Sequence, residues 1–135
     1  MLDANILLRA ALGVRTRRLV ESYDGVVAFY VPDICFAEAQ RHIPTIANKR
    51  GIDTDQAMAR IVQFRALVEV VDQSFYADER EAATKRMASR DPDDWPIAAT
   101  ALVLNCPIWT EDQDFFGSGI ATWTTTNVEL YLRER

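Results

Sequence analysis

The sequence predicts an α/β fold, with helices layered against a mostly parallel sheet. Three observations carry that expectation. Short β-rich runs, such as VVAFYV at 26–31 and VEVVD at 68–72, alternate with longer stretches of helical periodicity. Gly13, Pro32 and Gly51 fall where those stretches start or stop. The chain has 135 residues, 49% of them hydrophobic, and no repeat, low-complexity tract or Pro/Gly-rich linker divides it, so one domain over 1–135 is expected.

Taken in order, Met1–Asp3 reads as a short strand that leads into a helix around Ile6–Leu12, closed by Gly13. A second helix covers Thr16–Tyr23, before a turn at Asp24-Gly25. The run 26–31 is a buried strand ending at Pro32. Residues 33–48 form a long helix with Ile34, Ala37, Ala39, Ile43, Ile46 and Ala47 as its apolar positions and Gly51 as its stop. Asp53 and Gln56 fit a capping pair ahead of a helix to about Ala66. A strand at 68–72 follows, then a polar helix from Ser74 to about Ser89. After the loop RDPDD, a helix runs from about Trp95 to Leu104, with Pro96 in its first turn, where no intrahelical partner is lost. Strands are expected at 107–110 and 121–125, separated by a loop or single helical turn. A last helix starts at Thr126, where Glu129 completes a capping box.

A net charge of −5 argues, taken alone, against a nucleic-acid binder, because phosphate contacts need Lys and Arg. The distribution softens this. Residues 1–50 hold seven Lys/Arg against five Asp/Glu, whereas residues 91–135 hold two against eight. Arg15, Arg17 and Arg18 stand together, as do Arg41, Lys49 and Arg50; a solvated face is the ordinary reading of each group. Two cysteines, Cys35 and Cys106, with no targeting segment and no apolar run near the ~18 residues of a membrane span, lead to the expectation of a soluble cytoplasmic protein, with a single disulfide left open. Trp95, Trp109 and Trp123 read as core or core-edge residues.

Four acids stand where chemistry gathers in parallel sheets, at or beyond the carboxyl ends of strands. Asp3 ends the first strand, Asp94 opens a helix after a loop, and Asp112 follows PIWT by two residues. Glu38 lies about two turns into the long helix, among Phe36, Ala37 and Ala39. Each has an ordinary explanation: Asp3 and Asp94 as N-caps, Asp112 or Asp114 in an Asx-turn, Glu38 facing water. Convergence on one sheet edge would be unfavourable without a cation, and carboxylates are the ligands that Mg²⁺ and Mn²⁺ prefer.

LDANIL, the glutamate within DICFAEAQRH, DPDDWPIAATAL and WTEDQDFF resemble, in that order and over nearly the whole chain, the PIN-domain ribonucleases, especially the VapC-type toxins of toxin–antitoxin pairs. The resemblance implies a three-layer α/β/α sandwich around a parallel sheet, and an acid cluster binding Mg²⁺ or Mn²⁺. Asp3, Glu38, Asp94 and Asp112 match the four family acids, Asp94 being chosen over Asp91 and Asp93 because it precedes the IAATA run by three residues. Asp114 matches an acid that assists, Asn5 the asparagine of the opening motif, and Thr110 a small hydroxyl residue at the strand end. Only Met1 and Leu2 precede Asp3, so the first strand is shorter than the family's. RNA as substrate, a cognate antitoxin protein and a homodimer are likewise implied by the resemblance. Arg9, Arg41 and Arg90 are candidates for flanking phosphates.

Two rival readings stay open. Phosphohydrolases with an aspartate nucleophile share the LDAN opening but need DxDxT, whereas Ala4, Asn5, Ile6 and Leu7 follow Asp3 here. An interaction module whose acids bind only a basic peptide is the other. Cys35, Glu38 and His42 imitate a zinc site on one helical face, but three ligands on one helix rarely complete a tetrahedron.

Overall fold

The computed structural model describes residues 1–134. Helices α1 (Ala4–Leu12), α2 (Arg15–Ser22), α3 (Asp33–Arg50), α4 (Thr54–Phe64), α5 (Gln73–Tyr76), α6 (Arg80–Arg86), α7 (Trp95–Leu104) and α8 (Thr125–Arg133) alternate with strands β1 (Tyr30–Pro32), β2 (Glu69–Val71), β3 (Ile108–Trp109) and β4 (Thr122–Trp123). β1 pairs with β2 and β3 with β4, both in parallel. The amino-terminal segment joins the two pairs. Leu2 N–H donates to the Tyr30 carbonyl at 2.8 Å, Trp109 N–H donates to Met1 at 2.7 Å, and Leu2 forms a parallel bridge with Trp109. The chain is thus mixed α/β with short parallel strands.

The first three residues are buried because they lie between neighbours on both sides. Ile6, Leu7, Ala10 and Ala11, all fully buried, carry α1 into the core against α3 and α4. Helix α7 is apolar nearly all round: Ala98, Ala99 and Thr100 are inaccessible, and the Thr100 hydroxyl donates back to the Pro96 carbonyl at 2.7 Å. Trp109 is buried, its indole N–H donating to Thr125 Oγ1 at 3.0 Å, and Trp95 packs on Tyr76 at the core edge. Cys35 and Cys106 are free thiols. Among the described residues no helix is long and apolar enough to cross a membrane.

Several local expectations are corrected. The strand at 26–31 begins only at Tyr30, because Val26 and Val27 N–H donate to the Tyr23 carbonyl and finish the turn after α2. The helix expected over 74–89 is divided into α5, a 3-10 turn at Ala77–Glu79, and α6, with Asp33 fastening the first piece. Its Oδ1 accepts from the Tyr76 hydroxyl at 2.6 Å and its Oδ2 from the Gln73 N–H at 3.1 Å. The last helix is capped by Thr124, not by a box at Thr126; Glu129 instead pairs with Arg15 at 2.6 Å. Asp53 caps α4 as expected, accepting from Gln56 N–H at 2.9 Å.

Candidate active site

Asp3 stands where the amino-terminal segment gives way to α1, and its side chain has an architectural task. Oδ1 accepts the Ile6 N–H at 3.0 Å, satisfying an orphan donor of the helix, while Oδ2 accepts the Thr110 hydroxyl. The residue is 2% exposed. Thr110 follows β3 and is itself buried; its Oγ1 also accepts the Asp112 N–H at 2.9 Å. Asp112 Oδ1 in turn accepts the Asp114 N–H at 2.9 Å and starts the 3-10 turn Gln113–Phe115. One line of hydrogen bonds therefore runs from Asp3 through Thr110 and Asp112 to Asp114. The N-cap and Asx-turn explanations hold for Asp3 and Asp112, and the charge of each also acts on Asp94.

Asp91 and Asp94 flank the opposite wall. The 3-10 turn Pro92–Asp94 separates them by three residues, the interval at which side chains eclipse in that helix. Asp91 Oδ1 accepts the Asp93 N–H at 3.0 Å, whereas Asp94 makes no capping bond to α7. Carboxylate oxygens of Asp91, Asp94 and Asp114 lie within 4.8 Å of one another. Glu38 is half-buried on α3 and faces this group closely enough to act on Asp94.

Electrostatics ties the walls together. Burial, then the charges of Asp91, Asp112, Glu38 and Asp3, push the Asp94 carboxyl up to about 7. Burial pushes Asp3 up to about 6; the hydrogen bonds from Thr110 and Ile6 pull it back, and Asp112 adds to the rise. The same field reaches Cys35, whose buried thiol is raised well above its ordinary value by desolvation and then by Asp3, Glu38 and Asp94. Cys35 packs in the core and His42 is exposed, so the zinc-like helix face does not assemble.

Asp3, Glu38, Asp94 and Asp112 thus repel one another from a common region, but the acids near enough to hold one ion together are Asp91, Asp94 and Asp114. Asp91, passed over in favour of Asp94, belongs to that trio. Its signal was the i, i+3 spacing across Pro92, which helix-run spacing alone did not weigh. Asp114, expected to assist, stands in the trio too. Asn5 is exposed on α1 and lines a hollow with Asp112, beside the acids rather than among them.

The donor set suits a hard divalent cation. It consists of carboxylate oxygens, and among the described residues the ion pairs are Arg15–Glu129 and Arg17–Glu21, neither of which touches the cluster. Among the described residues no ion pair neutralises these acids.

A family model described as PIN domain matches residues 1–133. The chain belongs to the PIN-domain family. PIN domains are typically nucleases. No curated protein aligns with this PIN domain at a significant level.

Proposed function

We propose that this PIN domain is a metal-dependent endoribonuclease that hydrolyses RNA phosphodiester bonds. Asp91, Asp94 and Asp114, the acids closest together, form the part of the site that holds Mg²⁺ or Mn²⁺, and Asp3, Glu38 and Asp112 complete it. The observation that carries this reading is Asp94. Among the described residues it makes no capping bond and no ion pair, yet burial, and then the charges of four other acids, raise its carboxyl to about 7. Local structure gives such a residue no task, and perturbed acids in a shared site are the signature of function.

The protein's own groups divide the work. Ile6 N–H and the Thr110 hydroxyl fix the two oxygens of Asp3. The same Thr110 oxygen anchors the Asp112 backbone, so the loop carrying Asp112 and Asp114 is held to the strand end. A bound divalent cation supplies Lewis acidity toward phosphoryl oxygens and lowers the pKa of water. Asp94, near neutrality in the free site, exchanges a proton at its carboxyl in the pH range where cation and proton compete. Asp3, 2% exposed and with both oxygens accepting hydrogen bonds, suits the part of an oriented ligand better than that of an attacking nucleophile.

On the same reading the domain is a three-layer α/β/α sandwich and the toxin of a toxin–antitoxin pair, acting as a homodimer and controlled by a cognate antitoxin protein. The order and spacing of LDANIL, DICFAEAQRH, DPDDWPIAATAL and WTEDQDFF support this assignment. The decisive assay is cleavage of a single-stranded oligoribonucleotide with Mn²⁺ and with EDTA. Cleavage that requires Mn²⁺ and is lost in Asp94→Asn is the expected result; equal rates in EDTA or in the variant reject the site. Growth arrest on expression, relieved by the neighbouring open reading frame, tests the toxin assignment separately.

A further inference from the structure

Two hollows beside the acid site share the same pair of arginines. The first, about 440 Å³, reaches from Asp112 and Asn5 across Leu8, Leu12 and Ile46 to Arg9 and Arg50. The second, about 200 Å³, continues from Arg9 and Arg50 to Gly13, Thr16 and Thr125. Together they form one groove between α1 and the carboxyl end of α3 that opens at the candidate metal ligand Asp112.

We propose that this groove carries the substrate strand away from the scissile bond, with Arg9 and Arg50 each holding a phosphate that flanks it. The inference rests on the nuclease reading and extends it to how the strand is held. Both arginines are exposed, and among the described residues neither guanidinium makes a hydrogen bond or ion pair. Glu111, the groove's other acid, is already committed. Its Oε1 accepts the Thr125 N–H at 2.7 Å, and the Arg9 charge acts on it without a hydrogen bond between the two among the described residues. The floor between the two cations is aliphatic, formed by Leu8, Leu12 and Ile46, which offers a surface for unpaired bases without hydrogen-bond readout. A duplex, whose bases are turned inward, has no use for such a floor. The expected ligand is therefore single-stranded RNA bound with little sequence preference at these positions.

The test compares wild type with Arg9→Ala/Arg50→Ala, Arg9→Lys/Arg50→Lys and Lys49→Ala, after confirming equal melting temperatures. Lys49 neighbours Arg50 in sequence but lines neither hollow. Cleavage of an oligoribonucleotide with Mn²⁺ is followed over a range of KCl concentrations. The double alanine variant is expected to raise KM about tenfold, more than it lowers kcat. It should also flatten the slope of log(kcat/KM) against log[salt] by about 1.4, the share of two single-strand phosphate contacts. The double lysine variant should restore most of the affinity, and Lys49→Ala should match wild type. If the alanine variant keeps the wild-type KM and salt slope while wild type cleaves, the groove holds something other than the substrate and the proposal fails. If wild type neither cleaves nor binds the RNA, the nuclease reading fails first and takes this inference with it.

Discussion

The inner and outer parts of the acid site are built on opposite principles. At the inner end, Asp3 is buried and both of its oxygens accept hydrogen bonds, so the fold uses the carboxylate it tolerates. At the outer rim, Asp94 has no capping bond, sits within reach of Asp91 and Asp114, and is held up to about 7 by burial and by its neighbours' charge. One acid is a structural member; the other is a cost accepted by the fold. The contrast teaches that an acid's electrostatic burden alone does not reveal its purpose. Asp3 is also raised, to about 6, but hydrogen bonds account for its presence.

Substitution at the two ends should separate these principles most sharply. Asp3→Ala and Asp94→Asn should each reduce Mn²⁺-dependent cleavage at least about a hundredfold, in line with the loss of a group that orients charge at a reacting phosphate. Their stabilities should move in opposite directions. Asp3→Ala loses a helix cap and strands the Thr110 hydroxyl, costing about 2 kcal/mol at pH 5, where its raised pKa leaves little charge to relieve. Asp94→Asn removes a repelled carboxylate and gains on the order of 2 kcal/mol at pH 8, discounted for its partial exposure. Chemical denaturation of both variants checks the pair; equal destabilisation would erase the distinction.

Dependence on pH and metal comes next in size. Asp3 and Asp94 have folded-state pKa values raised above the unfolded value of 3.8. Between about pH 4 and pH 7 the native state therefore binds more protons than the unfolded chain, and stability falls as pH rises through that window. In EDTA the melting temperature should drop from pH 5 to pH 8 by several degrees. Mn²⁺ should restore it at pH 8, by about 2.7 kcal/mol at a hundredfold excess over Kd, and much less at pH 5, where protons occupy the same oxygens. A Mn²⁺ effect independent of pH would dissociate the metal from these carboxylates.

Thr110→Val probes the link between the two ends, since one hydroxyl donates to Asp3 and accepts from the Asp112 backbone. A Mn²⁺ affinity lowered about tenfold, with about 1–2 kcal/mol of lost stability, is expected by calorimetry and denaturation. Smallest is Arg15→Ala. The pair it forms with Glu129 is exposed, and its loss should leave the melting temperature and Mn²⁺ affinity unchanged within error.

Much of this was legible in the residues themselves. Alternation of apolar runs with Gly and Pro stops located the helices, because periodicity and backbone restriction are local properties. α3 and α7 lie close to their expected bounds, and Asp53 caps α4 as its spacing indicated. Strand lengths were less legible: at 26–31 a turn captured the first N–H groups, and a run of β-branched residues carries no record of which carbonyl will take them. The polar helix broke at Ala77–Glu79 because Asp33, forty residues earlier, fastened its start to α3.

The chain by itself determined which residue types were available: acids spaced along it, a short hydroxyl residue at a strand end, and few cations among its last forty-five residues. Tertiary structure alone decided which of those acids share a site, drawing in Asp91 across a 3-10 turn and placing Asn5 beside the cluster rather than within it. The reason is range. Periodicity and capping act over three or four residues, whereas repulsion between carboxylates depends on distances set by strands and loops far apart in the chain, and only the packed core fixes those.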